Sequence, residues 1–309
     1  MIYDLIIIGA SAAGISAGIY SARRNLNFLI ISKDIGGEVA RSGEVWNYPG
    51  YPQTDGVALS EKFKEHILLN NITPETVVTV KGVRKEDGKF YVDASKNGSD
   101  ITYETKSVIV ATGVEPRHLG IPGEEDFRGK GVTYCTTCDG PLFRNKVVAT
   151  IGGGNSALES ALMLSEIATK VYLVNRNEAM SGEGVLIDKV MAAKNIELIT
   201  NAETTEIIGE QIVKTLKYKD RKTDEEKELA VQGIFVHIGN IPNSGMIDIV
   251  EKNKFGEIMV DRLGKTNVAG IFAAGDVTDI PYKQIAIATG MGVVASLSVV
   301  DYLNKLKND

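Results

Sequence analysis

The chain has 309 residues, of which 43% are hydrophobic and 24% charged, and carries a formal net charge of -6. That length suggests two domains and is ample for a large core, and the composition is that of an ordinary globular protein. The acidic balance, with no Lys/Arg block, argues against nucleic acid as a partner.

From the N-terminus, the apolar run Leu5–Ile8 is too short for a signal segment and follows an acid, Asp4, so it reads as a buried strand. No apolar run approaches the ~20 residues of a membrane span, and the protein is expected to stay soluble in the cytoplasm, with no membrane partner. The segment "YDLIIIGASAAGISAGIYSARRNLNFLIIS" carries that strand through a turn of small residues and a helix-like stretch to a second strand ending at Ile31. This is the order of a βαβ unit. A later buried strand, "SVIVATGVEP", ends at Gly113. The only two cysteines follow, Cys135 and Cys138 in "YCTTCDG", and then a second copy of the first pattern, "KVVATIGGGNSALESALMLSEIATKVYLVNR". This copy also has its later strand, "GIFVHIGNIPN", ending at Gly239. Between the two, "YKDRKTDEEKE" reads as a solvated hairpin or loop of mixed charge. Past Asn243, one strand over residues 270–274 and a helix over about 284–306 are too little for a third core.

The repeat predicts an α/β fold of two Rossmann-like nucleotide-binding domains, the second inserted into the first. Residues 1–114 and 245–309 form the discontinuous first domain, and residues 115–244 the second. A doubly tethered insertion can rotate as a body. The glycines and prolines in 113–116 and 239–242 are candidate hinges, or equally well ordinary strand ends.

A dinucleotide site at a βα turn needs one glycine for the tight turn, a second for close approach of the pyrophosphate, and a third small residue for helix packing. The helix N-terminus then faces the phosphates. Gly152, Gly154 and Ala157 meet this pattern. In the first turn Gly9 and Gly14 meet it, but Ser11 stands at the middle position, with a hydroxyl that can donate to a phosphate. The competing reading is a plain tight turn between packed elements. At the end of a second strand an acid suits a ribose 2′-hydroxyl and an arginine a 2′-phosphate. Ser32, Lys33 and Asp34 follow the first unit's second strand; Asn175, Arg176 and Asn177 follow that of the second unit. The single Arg176 leans toward NADPH, with NADH the alternative.

Zinc does not suit the cysteine pair, because the three histidines, His66, His118 and His237, show no paired spacing to complete four ligands. No metal is expected. Two inert buried thiols remain an alternative, and His237 within "IFVHI" reads as a core residue. C-x-x-C spacing, however, lets a short loop close into a disulfide, and two thiols are the minimum for exchange that ends cleanly. The adjacent Asp139 can carry protons.

"CTTCDG" running into "PLFRNKVVATIGGGNSALESALMLSEIATKV", together with "EVWNYPG", "IVATG" and "GIFAAGDVTDIPYKQIAIATGMG", resembles the low-molecular-weight thioredoxin reductase family over essentially the whole chain. The resemblance implies a homodimer that holds FAD in the first domain. Electrons pass from a reduced donor through FAD and the cysteine pair to thioredoxin or a thioredoxin-like protein, and the inserted domain swings about its tethers. It implies that Cys138 faces the flavin, that Cys135 attacks the partner's disulfide and that Asp139 moves the protons. For FAD it implies Gly9, Ser11, Ala12, Ala13, Gly14, Gly37, Glu38, Asn47, Ala111, Thr112, Gly113, Gly275, Asp276, Gln284 and Ile285. For the pyridine nucleotide it implies Gly152, Gly154, Asn155, Ser156 and Arg176.

Two departures stand out. The family's His-Arg-Arg motif with a further arginine is reduced to Arg176 in "NRNEAMSG", and the first turn has Ser11 and Ala12 where the family has Gly and Pro. Ferredoxin or a deazaflavin then enters as an alternative donor. The same motifs also admit a dithiol oxidase or a redox switch without turnover.

Overall fold

The run Leu5–Ile8 lies within a four-stranded parallel sheet, ordered Ile271–Ala273, Val108–Val110, Leu5–Ile8, Phe28–Ile31. All four residues of the run are buried, as expected of a strand covered on both faces. The computed structural model describes residues 2–42 and 44–306. It divides into two compact units: one comprises the chain up to Ser42, Trp46–Glu115 and the chain from Ile241, and the other Pro116–Asn240 with the short strand Glu44–Val45.

In the first unit the helix Ala12–Arg23 links Leu5–Ile8 to Phe28–Ile31. Against it packs the helix Ile285–Leu306, joined by a hydrogen bond of 2.9 Å between the fully buried Ser21 and Ser296 hydroxyls. This 22-residue helix is long and apolar enough to cross a membrane, contrary to the expectation that no segment is. Its Gly292, Ala295, Ser296 and Val299 are nevertheless buried within the unit, where small side chains let two helices approach. The other face of the parallel sheet is covered by antiparallel strands Val78–Glu86, Lys89–Lys96 and Ser99–Thr105. Asp87-Gly88 and Asn97-Gly98, all at positive φ, make the two hairpin turns, as such dipeptides favour. Ile6, Ile8, Val108 and Val110 pack there on Val80, Phe90, Val92 and Tyr103.

The second unit repeats the plan. Its parallel sheet runs Val132–Thr133, Gly233–Val236, Val147–Ile151, Lys170–Val174, Ile196–Ile199, with helix Asn155–Ser165 between the third and fourth of these. Antiparallel strands Ala202–Gly209, Val213–Asp220 and Glu226–Ala230 follow.

The two glycine turns share one bonding pattern. The Gly9 amide donates to the Ile31 carbonyl at 2.8 Å, and the Gly152 amide to the Val174 carbonyl at 3.0 Å. Both glycines have positive φ, +112° and +142°. A Cβ on either would fall 2.2 Å from a carbonyl oxygen, that of Ala111 or of His237. Each of these carbonyls follows the neighbouring parallel strand, so both turns are wedged against the sheet's C-terminal edge.

Gly9→Ala and Gly152→Ala are each expected to destabilise their unit by about 2–5 kcal/mol, combining strain at φ with overpacking. Gly88→Ala, whose Cβ would meet nothing within 4 Å, should cost only about 1–2 kcal/mol. Urea unfolding of the three variants checks this order.

Candidate functional site

The strand Val132–Thr133 delivers the cysteine pair to the C-terminal edge of the second unit's sheet. Cys135 caps the short helix Thr136–Asp139, and Cys138 donates its amide to Cys135 Sγ at 3.3 Å. One helical turn brings the two Cα atoms to 5.3 Å, within bridging range, and the sulfurs are joined as a disulfide. The Thr133 hydroxyl accepts from the Cys135 amide at 3.2 Å and donates to the Asp139 carboxylate. One side chain on a buried strand thereby holds both ends of the redox loop, and nothing in the sequence marked Thr133 for that role.

Thr136, between the cysteines, is buried and anchors the loop from below. Its hydroxyl lies 2.7 Å from His237 Nε2 and 2.6 Å from Ser160 Oγ on the helix after the glycine turn; Ser160 in turn lies 3.3 Å from Thr150 Oγ1. Burial pushes the His237 imidazole down to about 4, so at neutral pH it is an uncharged hydrogen-bonding partner. The core histidine expected from "IFVHI" therefore has a definite task. Tyr134, just before Cys135, donates its hydroxyl at 2.9 Å to Glu124, a carboxylate only 3% exposed that also accepts from the Leu119 and Gly120 amides at 2.8 Å each. Burial first, and Glu124 second, raise the Tyr134 phenol above its ordinary range.

In the same unit, Gly152 and Gly154 precede the N-terminus of helix Asn155–Ser165, where Ser156 is exposed. Asn155, also exposed, exchanges two hydrogen bonds with Glu183, of 2.9 and 2.8 Å, which tie the start of the helix to the loop ahead of the next one. Arg176 forms an ion pair of 2.8 Å with Glu203. The hairpin that the sequence presented as merely solvated sends Arg221 back to the Arg176 carbonyl, 3.2 Å away, and Lys222 to Glu178. These residues lie more than 40 positions from Arg176 in the chain, so local pattern does not reveal them.

In the first unit the expected cofactor residues converge on another such edge. Ser11 donates its hydroxyl to the Gly36 carbonyl at 2.5 Å, which ties the glycine turn to the next loop instead of leaving that proton for a phosphate. Beyond Gly36, the Gly37 amide donates to Asp34 Oδ1 at 3.2 Å, and Glu38 pairs with Arg41 at 3.0 Å. Asn47 Nδ2 donates to Gln284 Oε1 at 3.2 Å across 237 residues of sequence, just ahead of the helix that starts at Ile285. Thr112 and Gly113 are bonded to Asn243, and the Ala111 carbonyl lies under Gly9. Gly275 lies against Ala13 of the first turn's helix. Its neighbour Asp276 has Oδ1 sealed from solvent without a hydrogen-bond partner among the described residues, and burial pushes its carboxyl up to about 6 although Lys283 opposes the shift. A buried, orphaned acceptor beside a glycine turn fits a bound group that supplies hydroxyl donors there.

His237→Ala should leave the Thr136 hydroxyl one partner short, at a cost of about 1–3 kcal/mol. Amide hydrogen exchange at residues 136–140 is expected to accelerate before exchange elsewhere in the unit. Asp276 sets a pH dependence of stability. Its carboxyl stays neutral longer in the fold than in the unfolded chain, so stability is full below about pH 4 and falls as pH rises through about 6. The loss amounts to about 3 kcal/mol in cofactor-free protein. The stability gap in favour of Asp276→Asn should widen across that window, as read from thermal unfolding of the apoprotein.

A family model described as pyridine nucleotide-disulphide oxidoreductase matches residues 3–292. The chain is 41% identical over 310 residues to a subunit of alkyl hydroperoxide reductase from Escherichia coli, covering 99% of this chain and 59% of that protein. It is 38% identical over 302 residues to an NADH dehydrogenase of Bacillus subtilis, covering 97% of this chain and 58% of that one. The chain thus spans somewhat over half the length of these relatives. Among solved structures, thioredoxin reductase from Streptococcus pyogenes matches with a TM-score of 0.92 and 34% identity, over 98% of this chain and 99% of that one. Two glycine turns on repeated parallel sheets, a closed Cys135–Cys138 disulfide and these matches agree: the chain belongs to the pyridine nucleotide-disulphide oxidoreductase family.

Proposed function

We propose that this protein is a flavin-dependent disulfide reductase, taking electrons from a reduced pyridine nucleotide and delivering them through Cys135 and Cys138 to a disulfide on thioredoxin or a thioredoxin-like protein. The observation that carries this reading is the Cys135–Cys138 disulfide beside Asp139, in a unit that also bears an intact glycine turn.

In this reading the first unit holds FAD. Residues 9–14 would cradle its phosphates, with Gly37, Glu38, the Asn47–Gln284 pair, residues 111–113 and Ile285 around it, and Asp276 would accept from its hydroxyls. Bound FAD would supply the two-electron relay between nucleotide and disulfide. Gly152, Gly154, Asn155, Ser156 and Arg176 would hold the nucleotide.

The protein's own residues then carry the exchange. Once the pair is reduced, Cys135, at the N-cap of its helix, attacks the partner's disulfide, giving a mixed disulfide and releasing one partner thiolate. Cys138 attacks Cys135 Sγ, re-forming the internal disulfide and releasing the second partner thiolate. Asp139, positioned by Thr133, manages the protons that leave the attacking thiols and reach the departing sulfurs. The assembly proposed is a cytoplasmic homodimer.

A second reading is favoured by the relative that is 41% identical: the dithiol serves another component of an alkyl hydroperoxide reductase. Parallel turnover assays with oxidised thioredoxin and with such a component separate the two.

FAD-loaded protein mixed anaerobically with reduced nucleotide should bleach at the flavin bands and reduce the protein disulfide. Cys138→Ser should retain bleaching but lose disulfide turnover, and Asp139→Asn should slow turnover by about 10²-fold or more. A polypeptide unable to take up FAD, or undiminished turnover in Cys138→Ser, would overturn the proposal.

A further inference from the structure

The loop that follows strand Lys170–Val174 has a charge arrangement that bears on which nucleotide the second unit takes. In a βαβ unit with its glycine turn at the first strand, the adenosine ribose lies beyond the C-terminal end of the second strand, and residues there meet its 2′ position. Here the strands are Val147–Ile151 and Lys170–Val174, with Ile151 opposite Val174.

Asn175 is not available to read the ribose. It is 3% exposed, and its Nδ2 donates to the Asn177 and Ala179 carbonyls at 3.0 Å each, which shapes the loop. Arg176 is the first side chain to emerge, and its guanidinium is engaged by the Glu203 carboxylate at 2.8 Å. The backbone sets this pairing: the Ala202 amide, first in its strand, donates to the Asn175 carbonyl at 3.0 Å, so Glu203, the next residue, comes alongside Arg176. On the other side Lys222 faces Glu178 at 2.5 Å. Two of the cations at this edge therefore already have carboxylate partners.

A 2′-phosphate would have to take Arg176 from Glu203 and place its charge beside that carboxylate, with Arg221, held on the Arg176 carbonyl, and the Glu178-paired Lys222 as the remaining cations of the edge. A 2′-hydroxyl can donate to Glu203 and leave the pair intact. Discrimination of this kind rests as much on repelling the wrong ligand as on holding the right one. We infer that the ribose edge of the second unit selects a pyridine nucleotide with a free 2′-hydroxyl, NADH rather than NADPH, and that Glu203 is the specificity-determining residue. This rests on the reading of the second unit as the pyridine-nucleotide site, and it replaces the lean toward NADPH that Arg176 alone suggests.

The test is calorimetric titration of the FAD-loaded protein with ADP-ribose and with 2′-phospho-ADP-ribose, ligands that bind the same edge without turnover. ADP-ribose is expected to bind about tenfold more tightly, the scale of one charge-assisted hydrogen bond at a half-exposed site. Glu203→Gln, on a partly exposed strand position, should remove or reverse that ratio by freeing Arg176, and Glu178→Gln should shift it in the same direction by less. Equal or tighter binding of the 2′-phosphorylated ligand by the unsubstituted protein, or a ratio unchanged within about twofold in Glu203→Gln, overturns the inference. Binding of neither ligand overturns it together with the nucleotide-donor part of the proposed function. Selective ADP-ribose binding without any protein dithiol production would leave the inference standing and overturn the disulfide-reductase reading alone.

Discussion

The contact on which both units depend is the close approach of a glycine to the carbonyl at the end of the neighbouring parallel strand. At Gly9 and Gly152 no side chain fits between turn and sheet, and φ lies where L-residues are strained. Because the turn can come this close, the following helix starts directly over the C-terminal edge of the sheet. Its unpaired amides then face the crevice in which open α/β sheets bind their ligands. Sheet order and helix placement follow from that geometry in each unit.

The redox loop uses the same edge. Cys135 follows strand Val132–Thr133 as Asp276 follows Ile271–Ala273, so a disulfide and a carboxylate occupy corresponding places in the repeated plan. The loop is short and partly exposed, yet it is restrained from two directions. Thr133 holds the Cys135 amide and the Asp139 carboxylate, while Thr136 is held by Ser160 and His237. His237 also contributes the carbonyl beneath Gly152, so one residue touches both the glycine turn and the redox loop. Preorganisation of this kind holds Cys135, Cys138 and the Asp139 carboxylate in register, which under the proposed exchange avoids consuming binding energy at each cycle.

Charge at the edge proposed for the nucleotide shows why residue identity and residue availability differ. Arg176 read alone is a free cation suited to a phosphate. In the fold it meets Glu203, and its carbonyl receives Arg221 from a hairpin tip. Ser11 is a similar case: its hydroxyl, suited in isolation to a phosphate, donates to Gly36 and braces the turn.

Some of this was legible in the amino-acid order because the signals are local. Strands buried on both faces read as unbroken apolar runs, the two βαβ segments repeat in type and order, and cysteines three apart on one helical turn are placed to bridge. Those elements, their repetition and the place of the thiols could be read from residue order alone, since each depends on neighbours a few residues away. It took the folded chain to bring Asn47 to Gln284, to leave Asp276 Oδ1 without a partner among the described residues, to set His237 under Thr136 and to give Arg176 to Glu203. These relations join residues far apart in the chain whose individual types are compatible with many partners. Packing chooses among those partners, because a buried polar group must find its hydrogen bond wherever the fold brings one within reach.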